Sequence, residues 1–198
     1  MNSILQSALR LFIGNQTERV QRRVRFDDLA KSRDSLFVLR GENKPFTGIG
    51  LRWHSNGELA EEACFRYGAP HGPWTTWYQT GSLLDHHSFE SKNRIRSSEI
   101  WYRGGLKHGM ETTWHNNGHR ASQSEYHDGL RHGLQLRWHA NGASRSEIPY
   151  DNGAPVDGTH RMWRASGKLE EEAFFRNGQK RRRKTWDPAG QLLLDVEY

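Results

Sequence analysis

Cysteine occurs once, at Cys64, so no internal disulfide can form. A disulfide scaffold is excluded, and a reducing compartment, the cytoplasm, is the expected location. Long apolar runs are missing too. No window reaches the ~18 consecutive apolar residues of a transmembrane helix. Hydrophobic residues make up 34% of the 198, against roughly 45–50% (a class that also counts glycine) in ordinary globular domains. A thick apolar core is therefore not expected. No phosphate loop, nucleophile elbow or kinase signature is present, so neither an enzyme nor a cofactor is expected. Glycine, at 20 residues, and tryptophan, at 8, are abundant instead. An aromatic content of 11% argues against disorder.

The net charge of +6 is unevenly placed. Residues 1–44 carry 9 Lys/Arg and 5 Asp/Glu, giving +4; residues 45–175 carry 14 and 15, giving −1; residues 176–198 carry 6 and 3, giving +3. A nucleic-acid binder would show a basic stripe along its body. The balanced middle points away from specific nucleic-acid recognition.

Self-similarity organises most of the chain. Gly105-Leu-Lys-His-Gly109 returns as Gly129-Leu-Arg-His-Gly133, and Trp114-His-Asn-Asn-Gly118 returns as Trp138-His-Ala-Asn-Gly142, both at an offset of 24. Five units start Gly48-Trp53-Gly57, Gly72-Trp77-Gly81, Gly109-Trp114-Gly118, Gly133-Trp138-Gly142 and Gly158-Trp163-Gly167. The aromatics expected to close them are Phe65, Phe89, Tyr126, Tyr150 and Phe175. A sixth, incomplete unit lies around Trp186 and Gly190, and Leu36–Gly41 is a candidate last strand of a degenerate one.

Each unit reads as a β-hairpin. Asn56-Gly57, Asn117-Gly118 and Asn141-Gly142 are dipeptides of type I′ preference, and Asp128-Gly129, Asn152-Gly153 and Asn177-Gly178 mark return turns. Two-residue loops at the Asn-Gly sites place Gly48 opposite Phe65, Gly72 opposite Phe89, Gly109 opposite Tyr126, Gly133 opposite Tyr150 and Gly158 opposite Phe175. An aromatic ring over a cross-strand glycine compensates for the missing side chain. Strand parity sets each Trp on the face away from the closing aromatic, unless a bulge intervenes. The expected fold is all-β: a single-layer, twisted antiparallel meander of about 12 strands with a short helical N-terminal cap.

The pattern Gly-x4-Trp-x3-Gly-x7-(Tyr/Phe)-x2-Gly resembles the MORN repeat, and more closely the variant MORN repeats of bacterial antitoxin and immunity-type proteins. The resemblance covers roughly residues 45–190. It departs from the family in using Trp where Tyr or Phe is commoner, and in a 13-residue insertion, since Trp77 to Trp114 spans 37 residues rather than 24. The resemblance implies a non-catalytic binding protein that neutralises a cognate toxin by direct contact. Because a fold hosts several functions, a membrane-associated or lipid-binding scaffold stands as the alternative.

Residues 1–35 fall outside the repeats. Ile4, Leu5, Ala8, Leu9, Leu11 and Phe12 recur at helical spacing. A cap covering the first sheet edge, a membrane contact and an export signal are all readings of this segment. Residues 36–198 form the repeat region, with the insertion placed near 90–102. Because a regular array offers the same chemistry every 24 residues, specific recognition is expected where regularity breaks. The candidate partner contacts are Arg94, Arg96 and Trp101 of the insertion and Arg181, Arg182, Arg183 and Lys184 of the C-terminal basic run. That run also suits a solvated edge strand, where charge discourages pairing. The eleven histidines do not suggest a metal. His71, His108 and His132 share one repeat position and His54, His115 and His139 another, two strands or about 10 Å apart, whereas zinc donors lie about 2 Å from the ion.

Overall fold

The computed structural model describes residues 22–79 and 94–198. The strands are β1 Arg23–Arg25, β2 Leu29–Lys31, β3 Phe37–Leu39, β4 Gly48–Trp53, β5 Leu59–Arg66, β6 Ala69–Trp77, β7 Arg96–Arg103 and β8 Leu106–Trp114. They continue as β9 Arg120–His127, β10 Leu130–Trp138, β11 Ser144–Asp151, β12 Ala154–Pro155, β13 Gly158–Trp163, β14 Leu169–Arg176, β15 Gln179–Trp186 and β16 Leu192–Glu197. Fourteen of them form one sheet. Twelve are the repeat strands, paired in sequence order as an antiparallel meander. The other two are β12, a short pairing on β11, and β1, which lies parallel to β4.

The two kinds of turn differ in a way that reverses one expectation. At the return turns Asp128-Gly129, Asn152-Gly153 and Asn177-Gly178, both residues have positive φ, the type I′ form. At the Asn-Gly tips only the glycine does: Gly57 has φ 83°, while Asn56 stays on the ordinary side. Gly57 N–H donates to the His54 carbonyl at 3.0 Å, which makes a type I turn followed by a left-handed glycine. The asparagine side chain favours this form by accepting a hydrogen bond two residues on, from Glu58 N–H to Asn56 Oδ1 at 3.1 Å. The loop is thus three residues long, and one bulge on the returning strand absorbs the difference: Trp53 faces Leu59, but Arg52 faces Glu61. The same shift occurs at Trp77, Trp114, Trp138, Trp163 and Trp186.

Because of that bulge the deeper register stands. Gly48 pairs with Phe65, Gly109 with Tyr126, Gly133 with Tyr150 and Gly158 with Phe175. The exception is Gly72, which pairs with Tyr102. The extra residues therefore sit in the β6–β7 connection, and Tyr102 is the closing aromatic of the second unit. Phe89 lies outside the described residues.

The glycines have a different role from the one expected. A Cβ on Gly109 would meet Trp101 Cβ at 3.7 Å and no atom of the Tyr126 ring within 4 Å. What Gly109 supplies is a φ of 91°, at a point where β8 slips against β7 between Ile100 and Tyr102. A side chain there would strain the backbone.

The helical cap does not extend into the described part of residues 1–35. Residues 23–31 form β1, a single 3-10 turn over Phe26–Asp28, and β2, which pairs with β3 in a separate two-stranded sheet. Leu36–Gly41 is accordingly not the last strand of an earlier repeat. Residues 1–21 of the expected cap lie outside the described residues. The reason is side-chain chemistry: Phe26, Phe37 and Phe46 close on Phe65 at ring distances of 5.8, 4.8 and 5.9 Å. Phe26, Leu29, Phe46, Ala63 and Phe65 are buried together, with Trp74 against them. Burying each phenylalanine is worth about 2–3 kcal/mol. Elsewhere the repeats form a single layer.

Candidate binding surface

Strand alternation gives the sheet two unlike faces. Phe65, Trp74, Tyr102, Tyr126, Tyr150 and Phe175 share one, the aromatic face, through their pairings. Cations lie over its rings: Lys107 Nζ is 4.8 Å from the Tyr126 centroid, and the Arg131 guanidinium 5.4 Å from Tyr150. Burial opposes the Lys107 charge, but the hydrogen bond and charge of Glu111 outweigh it and hold the ammonium above its usual range. Part of this face is well packed. Tyr126, Ser124, Gln135 and Ser146 are all buried, and Gln135 Nε2 donates to Ser124 Oγ at 3.2 Å.

The opposite, tryptophan face is buried at its first end, where Ile49 is 6% exposed, and opens from β8 onward. Each repeat Trp lies five residues after its starting glycine, hence on this side. One row crosses it at right angles to the strands: Ile49 beside Cys64, Pro73 beside Trp101, Met110 beside Glu125, Leu134 beside Pro149, and Thr159 beside Phe174. Met110, Leu134 and Phe174 are 38%, 48% and 42% exposed. Burial pushes the Cys64 thiol up to about 11, helped by the nearby Glu62 carboxylate.

The structure brings Arg94, Arg96 and Trp101 to this face but at two levels. Trp101 lies in β7 within the row and is not part of a protruding insertion. Arg94 and Arg96 lie at the hairpin-tip end, with guanidinium groups 4.9 Å from the Trp77 centroid and 5.9 Å from Trp114. Cation–π contact of this kind holds both charges against the sheet.

The basic run divides between the faces. Arg182 makes a bidentate pair with Asp195, both bonds 2.7 Å, and Lys184 approaches the same carboxylate at 4.0 Å. Arg183 pairs with Glu171 at 2.8 Å. The Arg182 hydrogen bonds hold the Asp195 carboxyl below the usual range. Three of the four cations thus lie against two carboxylates of β14 and β16, and Arg181 is exposed.

A second regularity links neighbouring units at the tips. His54, Tyr78, His115, His139 and Arg164 each follow a repeat Trp, and each side chain reaches the carbonyl of the next unit's Trp. The distances are 3.0, 2.7, 3.0, 2.7 and 2.9 Å. Asn117 and Asn141 add a second bond, to the Ala140 and Ala165 carbonyls at 2.6 Å. The repeated histidines thus join units rather than gather around one point.

Residues 131–152 and 156–177 each match a model described as the MORN repeat variant. The chain carries this repeat in two of its units. No curated protein matches the chain. The two MORN-variant stretches correspond to β10–β11 and to the β13–β14 hairpin with its return turn. Their hairpin form is that of the other units whose tips are described. MORN repeats are binding elements, and on the tryptophan face this array exposes Met110, Leu134 and Phe174. No helix among the described residues is long and apolar enough to cross a membrane.

The row itself was readable but unused in the sequence. Ile49, Pro73, Met110 and Leu134 all directly follow a repeat glycine, and four apolar residues at one repeat position mark a continuous line across a sheet.

Proposed function

We propose that this chain is a non-catalytic, protein-binding repeat protein that docks its partner on the tryptophan face. The observation that carries this is the row through Trp101, Met110, Leu134 and Phe174. It is apolar, and Met110, Leu134 and Phe174 in it are partly exposed. Such rows favour burial against another surface, and Trp101 and the adjacent arginines are of the types enriched at binding hot spots. Arg94 and Arg96 supply a charged margin at the tips.

A cognate toxin, met in the bacterial cytoplasm, is the partner we propose, and the resemblance of the repeats to those of antitoxin-type proteins supports it. The experiment is to express the product of the neighbouring reading frame alone and together with this chain. The expected result is growth arrest relieved by the chain, through a complex that M110E/L134E weakens at least about tenfold. A neighbour without toxicity, or a complex indifferent to both changes, overturns the respective part of the proposal.

A further inference from the structure

We propose that a second copy of this chain packs face to face on the tryptophan face, over the strands from β9 to β15. The two copies are related by a two-fold axis that runs along the strands, midway between β11 and β13. The proposal rests on the docking reading in one respect: the second copy and the partner use the same row, so one replaces the other.

The warrant is the order of residues along the row. Six consecutive strands of the sheet, β9, β10, β11, β13, β14 and β15, carry Glu125, Leu134, Pro149, Thr159, Phe174 and Arg182. Their common face follows from the pairings of Met110 with Glu125, Leu134 with Pro149, Thr159 with Phe174 and Phe174 with Arg182. From either end the order is a charge, a large apolar side chain and a smaller one. The two end charges have opposite sign. An isologous contact sets each position against its counterpart counted from the other end. Leu134 then meets Phe174 of the second copy, and Glu125 meets Arg182 of the second copy, each contact occurring twice. Leu134 and Phe174 are exposed as described above. The Glu125 and Arg182 side chains are 45% and 44% exposed.

The adjacent row repeats the relationship at the axis itself. Glu147 of β11 pairs with Arg161 of β13. They stand two residues from Pro149 and Thr159, hence on the same face. Across the axis Glu147 meets Arg161 of the second copy, again twice. Glu172 comes opposite Leu136, and it keeps the bond donated by Arg161 Nε of its own chain at 3.0 Å.

The size of the contact makes the dimer weak. Six strands about 4.8 Å apart and three side-chain levels about 7 Å apart cover about 600 Å² on each copy. The total of about 1,200 Å² is the lower bound of a specific interface. Facing sheets pack about 10 Å apart with their strands aligned within about 30°. A single-layer sheet thereby acquires a second layer. A dimer of this size exchanges readily, and by mass action a partner that binds the same row displaces the second copy.

The test is sedimentation equilibrium of the full chain alone, from about 5 to about 500 µM, the range that brackets an interface of this size. The expected result is a monomer–dimer equilibrium whose dissociation constant rises at least about tenfold in L134E and in F174E. M162E, changed on the aromatic face where Met162 is 44% exposed, should dimerise like the parent. E125K and R182E should each self-associate more weakly than the parent. Mixed together, those two variants should form heterodimers, because both charge contacts are restored between unlike chains. A circular dichroism melt at the parent's midpoint shows that a variant is folded. If R182E melts lower because Asp195 has lost its partner, L134E and F174E decide. A chain that stays monomeric, a dimer that L134E and F174E leave intact, or an equal loss in M162E overturns the proposal. So does a mixture of folded E125K and R182E that associates no better than either alone. No partner is present in this measurement, so a monomeric chain leaves the docking surface standing. A complex indifferent to M110E/L134E removes that surface and leaves the dimer to be read here.

Discussion

His115 Nε2 lies 3.0 Å from the carbonyl oxygen of Trp138, one repeat further along the sheet. His54 with Trp77 and His139 with Trp163 repeat the contact, and Tyr78 and Arg164 make it with other donors. A single-layer sheet has little core to hold one hairpin against the next, so bonds between side chain and backbone at the tips carry part of that load. His115→Ala should lower the unfolding free energy by about 0.5–1.5 kcal/mol. Hydrogen exchange should rise locally around residues 114–120 and 138–143. An unchanged midpoint and unchanged exchange would mean that the contact contributes nothing.

Gly109 and Tyr126 pair across β8 and β9, yet they are needed for separate reasons. Gly109→Ala should cost about 1 kcal/mol or more through its φ of 91°. Tyr126→Ala should cost about 2–3 kcal/mol through lost ring burial. The ring does not cover the glycine, so the two costs should add within about 0.5 kcal/mol in the double variant. A large coupling energy in a denaturant titration would restore the ring-over-glycine reading.

Cys64 should be a slow thiol. With its pKa pushed to about 11 by burial, the thiolate fraction at pH 8 is about a hundredfold below that of a free cysteine. Alkylation by iodoacetamide should slow in proportion. The linkage has a definite sign. The folded-state pKa is raised, so this group's contribution is whole below about pH 9 and is lost as the pH climbs toward 11. Cys64→Ser should remove that part of the alkaline decline. Alkylation at the rate of a model peptide would show the thiol to be open.

The basic run should become adhesive only when its carboxylates are removed. D195N with E171Q frees Arg182, Arg183 and Lys184 from the pairs that now hold them. The double variant should bind anionic vesicles and elute from heparin at higher salt than the parent, with the difference fading as salt rises. If the parent already binds anionic vesicles as tightly as the variant, the pairs do not mask the charge.

R94A/R96A/W101A should weaken partner binding without unfolding the sheet. The arginines alone should account for the smaller share, because they sit at the tip level, away from the row. Calorimetric titration of each variant against the partner separates the two levels. Equal losses from R94A/R96A and from W101A would place the contact evenly over the face.

Much of the architecture was legible in the repeat. A glycine, a tryptophan, a glycine and an aromatic at constant spacing predict twelve antiparallel strands and four of the five glycine–aromatic pairings, since hairpin register is a local property. The fifth failed because an insertion moves the closing aromatic from Phe89 to Tyr102, and spacing alone cannot say on which side of the returning strand extra residues fall. The tip turns departed from the expected form for a local reason too: the Glu58 amide donates to the Asn56 side chain, and the bulge beside each Trp hides the added loop residue from the register. Other features depended on residues distant in sequence. Phe26, Phe37 and Phe46 meet on Phe65, and that contact turns the described part of the expected helical cap into strands. Asp195 and Glu171 reach across from flanking strands and convert a run of like charges into ion pairs. That the aromatic face is covered at the β4–β6 end was likewise decided in three dimensions, because strand alternation names two faces and only packing determines where one of them is covered.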